Sequence, residues 1–178
     1  YEGNTVGLAE AVIEELQVNQ IVIPENITIH VIPNLNPDGY ALPTTASDAE
    51  RRFNANLVVL NRNFDCQWEP ESTWRGNAVS GGTGPFSEPE AITLRDYVTA
   101  NPPAAAVFWH SKANAVFTSE CGLGTGAAPG GVELMNAYAA AANYEAFGMW
   151  TAYPVTGAAE DWLSTLGIPA VTVEFETR

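Results

Sequence analysis

Lysine is nearly absent from this chain: a single Lys stands among seven basic residues, against 21 Asp and Glu, for a formal net charge of −14. General nucleic-acid binding is thereby excluded, because neutralising phosphates takes a clustered basic surface. Long apolar runs are missing too, and no stretch approaches the roughly 20 residues that a membrane-spanning helix needs. Cysteine is scarce. Cys66 and Cys121 allow one bridge at most, and they read equally well as a disulfide or as two buried thiols. One Lys beside abundant Asn, Thr, Gly and Ala leans towards an extracellular or secreted protein. The chain starts at Tyr1 without a Met or targeting segment and stops at Arg178, directly after an apolar run at 168–175. A core strand rarely closes a domain, so the expectation is a piece cut at both ends.

What remains is ample for folding. The 178 residues suit one domain, 46% of them are hydrophobic, and five Trp, six Tyr and seven Phe argue against disorder. Leu8, Val12, Ile13 and Leu16 recur at helical spacing opposite Glu10, Glu14 and Glu15, which predicts a helix over 5–18. Ile27, Ile29 and Val31 alternate with Thr28 and His30, which predicts a strand over 26–32 stopped by Pro33. Residues 57–60 read as a short buried strand and 65–85 as a long surface loop. Ser87 is the expected N-cap of a helix reaching Ala100. A strand over 104–109 should deliver His110 at its carboxyl end; helices over 131–147 and 160–166 and a strand over 170–175 follow. Strands alternating with helices predict an α/β domain, a mixed and mostly parallel twisted sheet with helices on both faces. Ligands in such sheets gather at the carboxyl ends of strands.

Chemistry is therefore sought at strand ends. His110 emerges from a core strand and reads either as a packing histidine or as a functional one. His30, inside a strand, reads as structural. Asn61-Arg62-Asn63 is a polar triplet straight after an apolar run, where an arginine can grip a carboxylate bidentately. Arg51 and Arg52 lie ten residues upstream, a concentration of positive charge in an acidic chain. Glu174 interrupts an apolar strand and reads either as a surface residue or as a pocket carboxylate with a raised pKa.

Together the segments resemble the zinc carboxypeptidase family, the funnelin metallopeptidases. Asn36-Pro37-Asp38-Gly39-Tyr40, Arg52-Phe53-Asn54, Leu60-Asn61-Arg62-Asn63-Phe64, Ser87-Glu88-Pro89-Glu90, Trp109-His110-Ser111, Tyr153-Pro154 through Asp161-Trp162, and Thr172-Val173-Glu174-Phe175 match that family's blocks in order. The resemblance implies a carboxypeptidase-like fold, with residues 1–178 forming a single incomplete catalytic domain. It implies Zn²⁺ bound by His110 and Glu174 as the general base that activates water and protonates the leaving amine. Arg52 would stabilise the oxyanion, with Arg51 as the fallback. Asn61, Arg62 and Tyr153 would hold the terminal carboxylate of a peptide with a free C-terminus, and Glu160 occupies the position that selects the terminal side chain. A carboxylate there favours a basic or amine-bearing residue.

Two features depart from the family. Its other two zinc ligands come from a His-x-x-Glu motif ahead of the first helix, expected here just upstream of Tyr1, since His30 and His110 alone cannot complete a three-ligand site. The piece alone is therefore expected to bind zinc weakly and to lack peptidase activity. Val59 stands where the family has an acid that orients a zinc histidine, and Leu57 replaces a Gly. Three readings follow: a metallocarboxypeptidase, a cell-wall peptide amidase of the same family, and a non-catalytic peptide-binding domain.

Overall fold

The computed structural model describes residues 2–18, 22–43, 45–122 and 124–176. Tyr1 and Arg178 lie outside them. Helix α1 (Asn4–Val18) buries Val6 and Ala9, with Ile13 and Leu16 half-buried on the same stripe. Leu8, expected on that face, is exposed. The short helix α2 (Pro37–Ala41) precedes a hairpin of β1 (Glu71–Trp74) and β2 (Asn77–Ser80), then α3 (Pro89–Ala100), β3 (Ala106–Ser111), β4 (Ala115–Thr118), α4 (Gly131–Ala142), β5 (Glu145–Phe147), α5 (Ala159–Thr165) and β6 (Ala170–Phe175).

Strands β3, β6, β4 and β5 lie side by side in that order. β6 runs parallel to β3 and antiparallel to β4, and β4 runs parallel to β5. The sheet is thus mixed and mostly parallel, as the sequence predicts. Alternation along β6 divides the interior in two. Ala170 joins Phe64, Leu94, Trp162 and Leu163 beneath α3 and α5, whereas Val171 and Val173 join Met135 and Ala139 beneath α4. Helices therefore cover both faces. On the α3/α5 side, Phe64, Phe86 and Trp162 pack ring against ring with centroids 5.2–5.7 Å apart.

Several expected elements differ. Residues 26–32 form no strand: among the described residues they have no ladder partner, and Ile27, Ile29 and Ile32 are exposed. Residues 57–60 are not a strand either: local turn bonding takes most of their backbone groups, and Val59 makes only an isolated bridge with Phe53. Asn54 Oδ1 accepts from the backbone N–H of Asn56 and Val58, Leu57 has φ +59°, and the chain tightens into a 3₁₀ turn at Leu60–Arg62. Val58, Val59 and Leu60 are nonetheless buried. The expected loop at 65–85 contains the β1–β2 hairpin, closed by Arg75 and Gly76 at φ +49° and +79°, the two-residue turn whose twist suits a hairpin. α3 is preceded by Glu88 rather than Ser87 as its cap residue. The helix expected over 131–147 stops at Ala142 because Asn143 adopts the left-handed conformation, and β5 follows. β3 extends to Ser111, so His110 sits inside the strand near its end instead of just beyond it.

Candidate active site

His110 on β3 and Glu174 on β6 are register partners on adjacent parallel strands. Both lie on the α3/α5 side, in step with Phe108 and Ala170, at the carboxyl ends of their strands. One pocket opens there. His110, Glu174, Arg52, Asn61, Arg62, Tyr153 and Glu160 all line it, so these seven residues named from the sequence converge from positions up to 122 apart. Arg51 is the exception. It is buried, its Nε donates to the Ala46 carbonyl at 3.3 Å and its Nη2 to the Pro43 carbonyl, so Arg52 alone of the two faces the pocket.

Glu2 is the residue that sequence reasoning missed. It stands two positions before the first residue of α1, and its Oε2 lies 2.9 Å from His110 Nδ1 while Oε1 lies 3.7 Å from Arg52 Nη1. Burial alone would raise the Glu2 carboxyl, but the charge and hydrogen bond of His110, aided by Arg52, hold it down at about 2. Burial likewise disfavours charge on His110, and Glu2 outweighs that, lifting the imidazole to about 9. The signal available in the sequence was an acid shortly ahead of the first helix, where the family motif ends in Glu. An imidazole nitrogen and a carboxylate oxygen facing each other in a pocket are donors that zinc accepts. Among the described residues no group of three or more His, Cys, Asp or Glu is gathered to hold a metal ion; what is present is this pair. Burial raises the Glu174 carboxyl above its ordinary value, with the charges of Glu2 and Glu160 adding and those of His110 and Arg52 opposing.

The far wall is built around Arg62, which is 2% exposed. Its Nη1 donates to the Asn61 carbonyl, and its Nε and Nη2 donate to the Thr73 carbonyl at 3.3 and 3.2 Å. Burial and the nearby Arg52 pull it below its ordinary value. Asn61 grips the start of α5: its Oδ1 accepts from the Ala159 N–H at 2.9 Å and its Nδ2 donates to Glu160 Oε1 at 3.3 Å. Thr172 Oγ1 donates to the same Glu160 oxygen, whereas Glu160 Oε2 is buried without a partner. Burial and the adjacent Glu160 charge push Asp161 up to about 8. Tyr153 leans on Trp150 at 5.4 Å, and Trp150 on Phe117 at 5.2 Å. The Tyr153 loop is laid along the Arg62 segment by Phe64 N–H to Gly157 and Gly157 N–H to Cys66 carbonyl bonds.

Residues around the pocket, of which Trp74 lines it, hold this arrangement. Asn36 Nδ2 reaches the carbonyls of Arg51, Arg52 and Phe53 at 3.2–3.4 Å, which fixes the turn that presents Arg52. Asn63, wholly buried, donates to the Gly81 carbonyl and Ser87 Oγ and accepts from the Glu88 N–H. Trp74 of β1 carries the Arg52 guanidinium over its ring at 4.6 Å. Val59 lies in the core and donates its N–H to the Ser80 carbonyl. Cys66 and Cys121 are bridged, with Cα atoms 5.5 Å apart, and His30 stands outside the pocket, bonded to Tyr97.

Proteins similar to the chain in sequence or fold include carboxypeptidases and an amidase. The family model described as zinc carboxypeptidase matches residues 6–178. Carboxypeptidase O of Bos taurus is 27% identical over 175 residues, covering 86% of this chain and 46% of that protein. The crystal structure of murein-tripeptide amidase MpaA from Escherichia coli O157 superposes with a TM-score of 0.64 at 27% identity, over 82% of this chain and 58% of that one. Carboxypeptidase A from Helicoverpa armigera shares the fold, with a TM-score of 0.74 at 23% identity over 96% of this chain and 48% of that one. The chain thus spans about half the length of these relatives. With its matched residues and its converging pocket, the chain belongs to the zinc carboxypeptidase family.

Proposed function

We propose that this chain supplies the substrate pocket and general base of a zinc-dependent metallocarboxypeptidase, which removes a C-terminal residue from a peptide with a free terminal carboxylate. The observation that carries the reading is the pairing of His110 and Glu174 across adjacent strands, in a pocket shared with Arg52 and Arg62. His110 and Glu2 would hold Zn²⁺, with a histidine three positions before Glu2 in the whole protein as the third ligand. The His-x-x-Glu pair then ends on Glu2 and does not lie wholly upstream of Tyr1. Bound zinc would supply Lewis-acid polarisation of the scissile carbonyl and a lowered water pKa.

The residues of the chain do the rest. Glu174, held among apolar and charged neighbours, takes a proton from the attacking water and returns it to the departing amine. Arg52 stands ready for charge developing on the carbonyl oxygen. Arg62, Asn61 and Tyr153 receive the terminal carboxylate, which an internal peptide bond lacks, so the reaction is confined to chain ends. Glu160, with one oxygen buried and unpartnered, selects a terminal residue carrying an amine. That carboxylate and the likeness to a murein-tripeptide amidase favour, as a second reading, an amidase acting on an amine-bearing cell-wall peptide. The disulfide supports an extracellular setting, and no helix among the described residues is long and apolar enough to cross a membrane.

The test is Glu174→Gln in the full-length protein. Turnover of a C-terminal peptide substrate should fall by a factor of about 10³ or more, with zinc content by elemental analysis unchanged. Near-normal turnover would remove Glu174 from the chemistry. A protein that binds C-terminal peptides tightly but turns none over, with or without zinc, would be the non-catalytic binding domain.

A further inference from the structure

Four of the chain's seven basic residues, Arg52, Arg62, Arg75 and Lys112, line one pocket in a molecule with 21 acids. Two have roles already: Arg52 pairs with Glu2, and Arg62, which donates one N–H from each nitrogen to the Asn61 and Thr73 carbonyls, belongs to the terminal-carboxylate site proposed above. The other two do not. Among the described residues neither Arg75 nor Lys112 has a carboxylate within ion-pair distance, although acids outnumber bases threefold. Arg95, out on α3, does find Asp96 at 2.7 Å, so composition alone does not leave cations unpaired here.

Their placement is built rather than incidental. Arg75 sits at the turn of the β1–β2 hairpin, and that hairpin is tied down at three places. Arg62 holds the Thr73 carbonyl, Ser72 Oγ meets Thr156 Oγ1 at 2.7 Å, and Val59 donates to Ser80. The Arg75 guanidinium lies over the Trp74 ring at 5.2 Å, and the Arg52 guanidinium lies over the same ring at 4.6 Å. Lys112 follows the last residue of β3. Both cations are exposed and both line the pocket, so they face its open side, away from the buried Arg62.

We propose that Arg75 and Lys112 form a second anion-recognition site at the open side of the pocket, which binds a carboxylate on the amino side of the scissile bond. The substrate class then sharpens to peptides that carry an acidic residue shortly before the terminal one. This inference rests on the pocket being a peptide site, as proposed above. Among the described residues no carboxylate is ion-paired to either cation, and a planar guanidinium lying over an indole presents its N–H edge for bidentate contact with a carboxylate.

The test uses the full-length protein carrying Glu174→Gln, so that bound peptide is not consumed, and calorimetric titration at low salt. N-acetyl-Glu-Lys is compared with N-acetyl-Gln-Lys, and N-acetyl-Glu-Ala-Lys with N-acetyl-Gln-Ala-Lys, so that the position of the acid is resolved. In at least one pair the acidic peptide should bind about 10-fold tighter. Adding Arg75→Gln or Lys112→Gln should shrink the difference, and both together should abolish it, without weakening the Gln peptides. Arg75→Lys should retain most of it. If both acidic peptides bind no better than their Gln partners, or if the preference survives the double substitution, the anion site is wrong while the peptide pocket stands. If no peptide binds at all, the pocket reading fails and this inference with it.

Discussion

At Glu160 one carboxylate oxygen accepts bonds from Asn61 and Thr172 while the other is buried without a partner. A cation brought to that oxygen gains a strong bond, and an apolar side chain leaves it unsatisfied. Glu160→Gln in the full-length protein should therefore cut the kcat/KM ratio for C-terminal Lys over C-terminal Leu substrates by about 10-fold or more. An unchanged ratio would return Glu160 to a purely structural role at the head of α5. Glu88 tests a different kind of carboxylate. Burial would raise it, yet bonds from Asn54, Asn56 and Ser87 hold it below its ordinary 4.5. Because its folded-state value is depressed, its contribution is present above the unfolded value and is lost as pH falls through the folded one. Glu88→Gln should cost about 1–3 kcal/mol at pH 7. Urea unfolding should show the gap between parent and variant present above the ordinary carboxylate value of 4.5 and closing as pH falls beneath it. His110 and Glu174 each read from the residues alone as packing or surface groups as readily as functional ones; the order of the family-like blocks singled them out, and the structure gathers them with Arg52, Arg62 and Tyr153 in one pocket. Glu2 was not legible, because a lone acid before a helix reads as a dipole partner until His110, 108 positions away, is brought within 2.9 Å of it.

Elements were legible where one strong pattern governed them and illegible where bonding from elsewhere decided. β6 falls at its expected bounds because its alternating apolar residues find partners on both sides, β3 and β4. Residues 26–32 alternate as well as any strand, but alternation describes a face and not a partner, and a strand needs a ladder. The hairpin was hidden because Glu71–Trp74 and Asn77–Ser80 are largely polar, so only the Arg75-Gly76 turn announced it. α2 shows how an element far from the chemistry sets it. Gly39 lies so close to the Arg51 carbonyl that an added Cβ would stand 2.0 Å from the oxygen, and Asn36, which caps α2, also holds the Arg51–Phe53 carbonyls. Gly39→Ala should push that turn away and cost about 2 kcal/mol or more of stability. In the full-length protein kcat should fall more than KM rises, because Arg52 is displaced while Arg62 stays. Loss confined to KM would mean that the α2 contact serves the carboxylate wall instead.

For the molecule as a whole, two apolar layers lie on opposite sides of one sheet, and the pocket belongs to only one of them. The wall that carries Arg62, Tyr153 and Glu160 is loop and short helix, whose order depends on what fastens it. The Cys66–Cys121 bridge spans 55 positions. It ties the segment that follows Arg62 to the turn beyond β4, and Cys66 also accepts the Gly157 N–H under the Tyr153 loop. Cross-linking a loop of that length lowers the entropy of the unfolded chain by an amount worth about 4 kcal/mol. Replacing both cysteines by alanine should lower stability by roughly that much in urea unfolding. Hydrogen exchange should rise first at residues 64–68 and 153–158, with β3 and β6 protected until global unfolding. Uniform loss of protection across the sheet would show that the bridge supports the whole domain, and an unchanged midpoint would show that hydrogen bonds to Asn63, Gly157 and Glu88 suffice to order the wall without it.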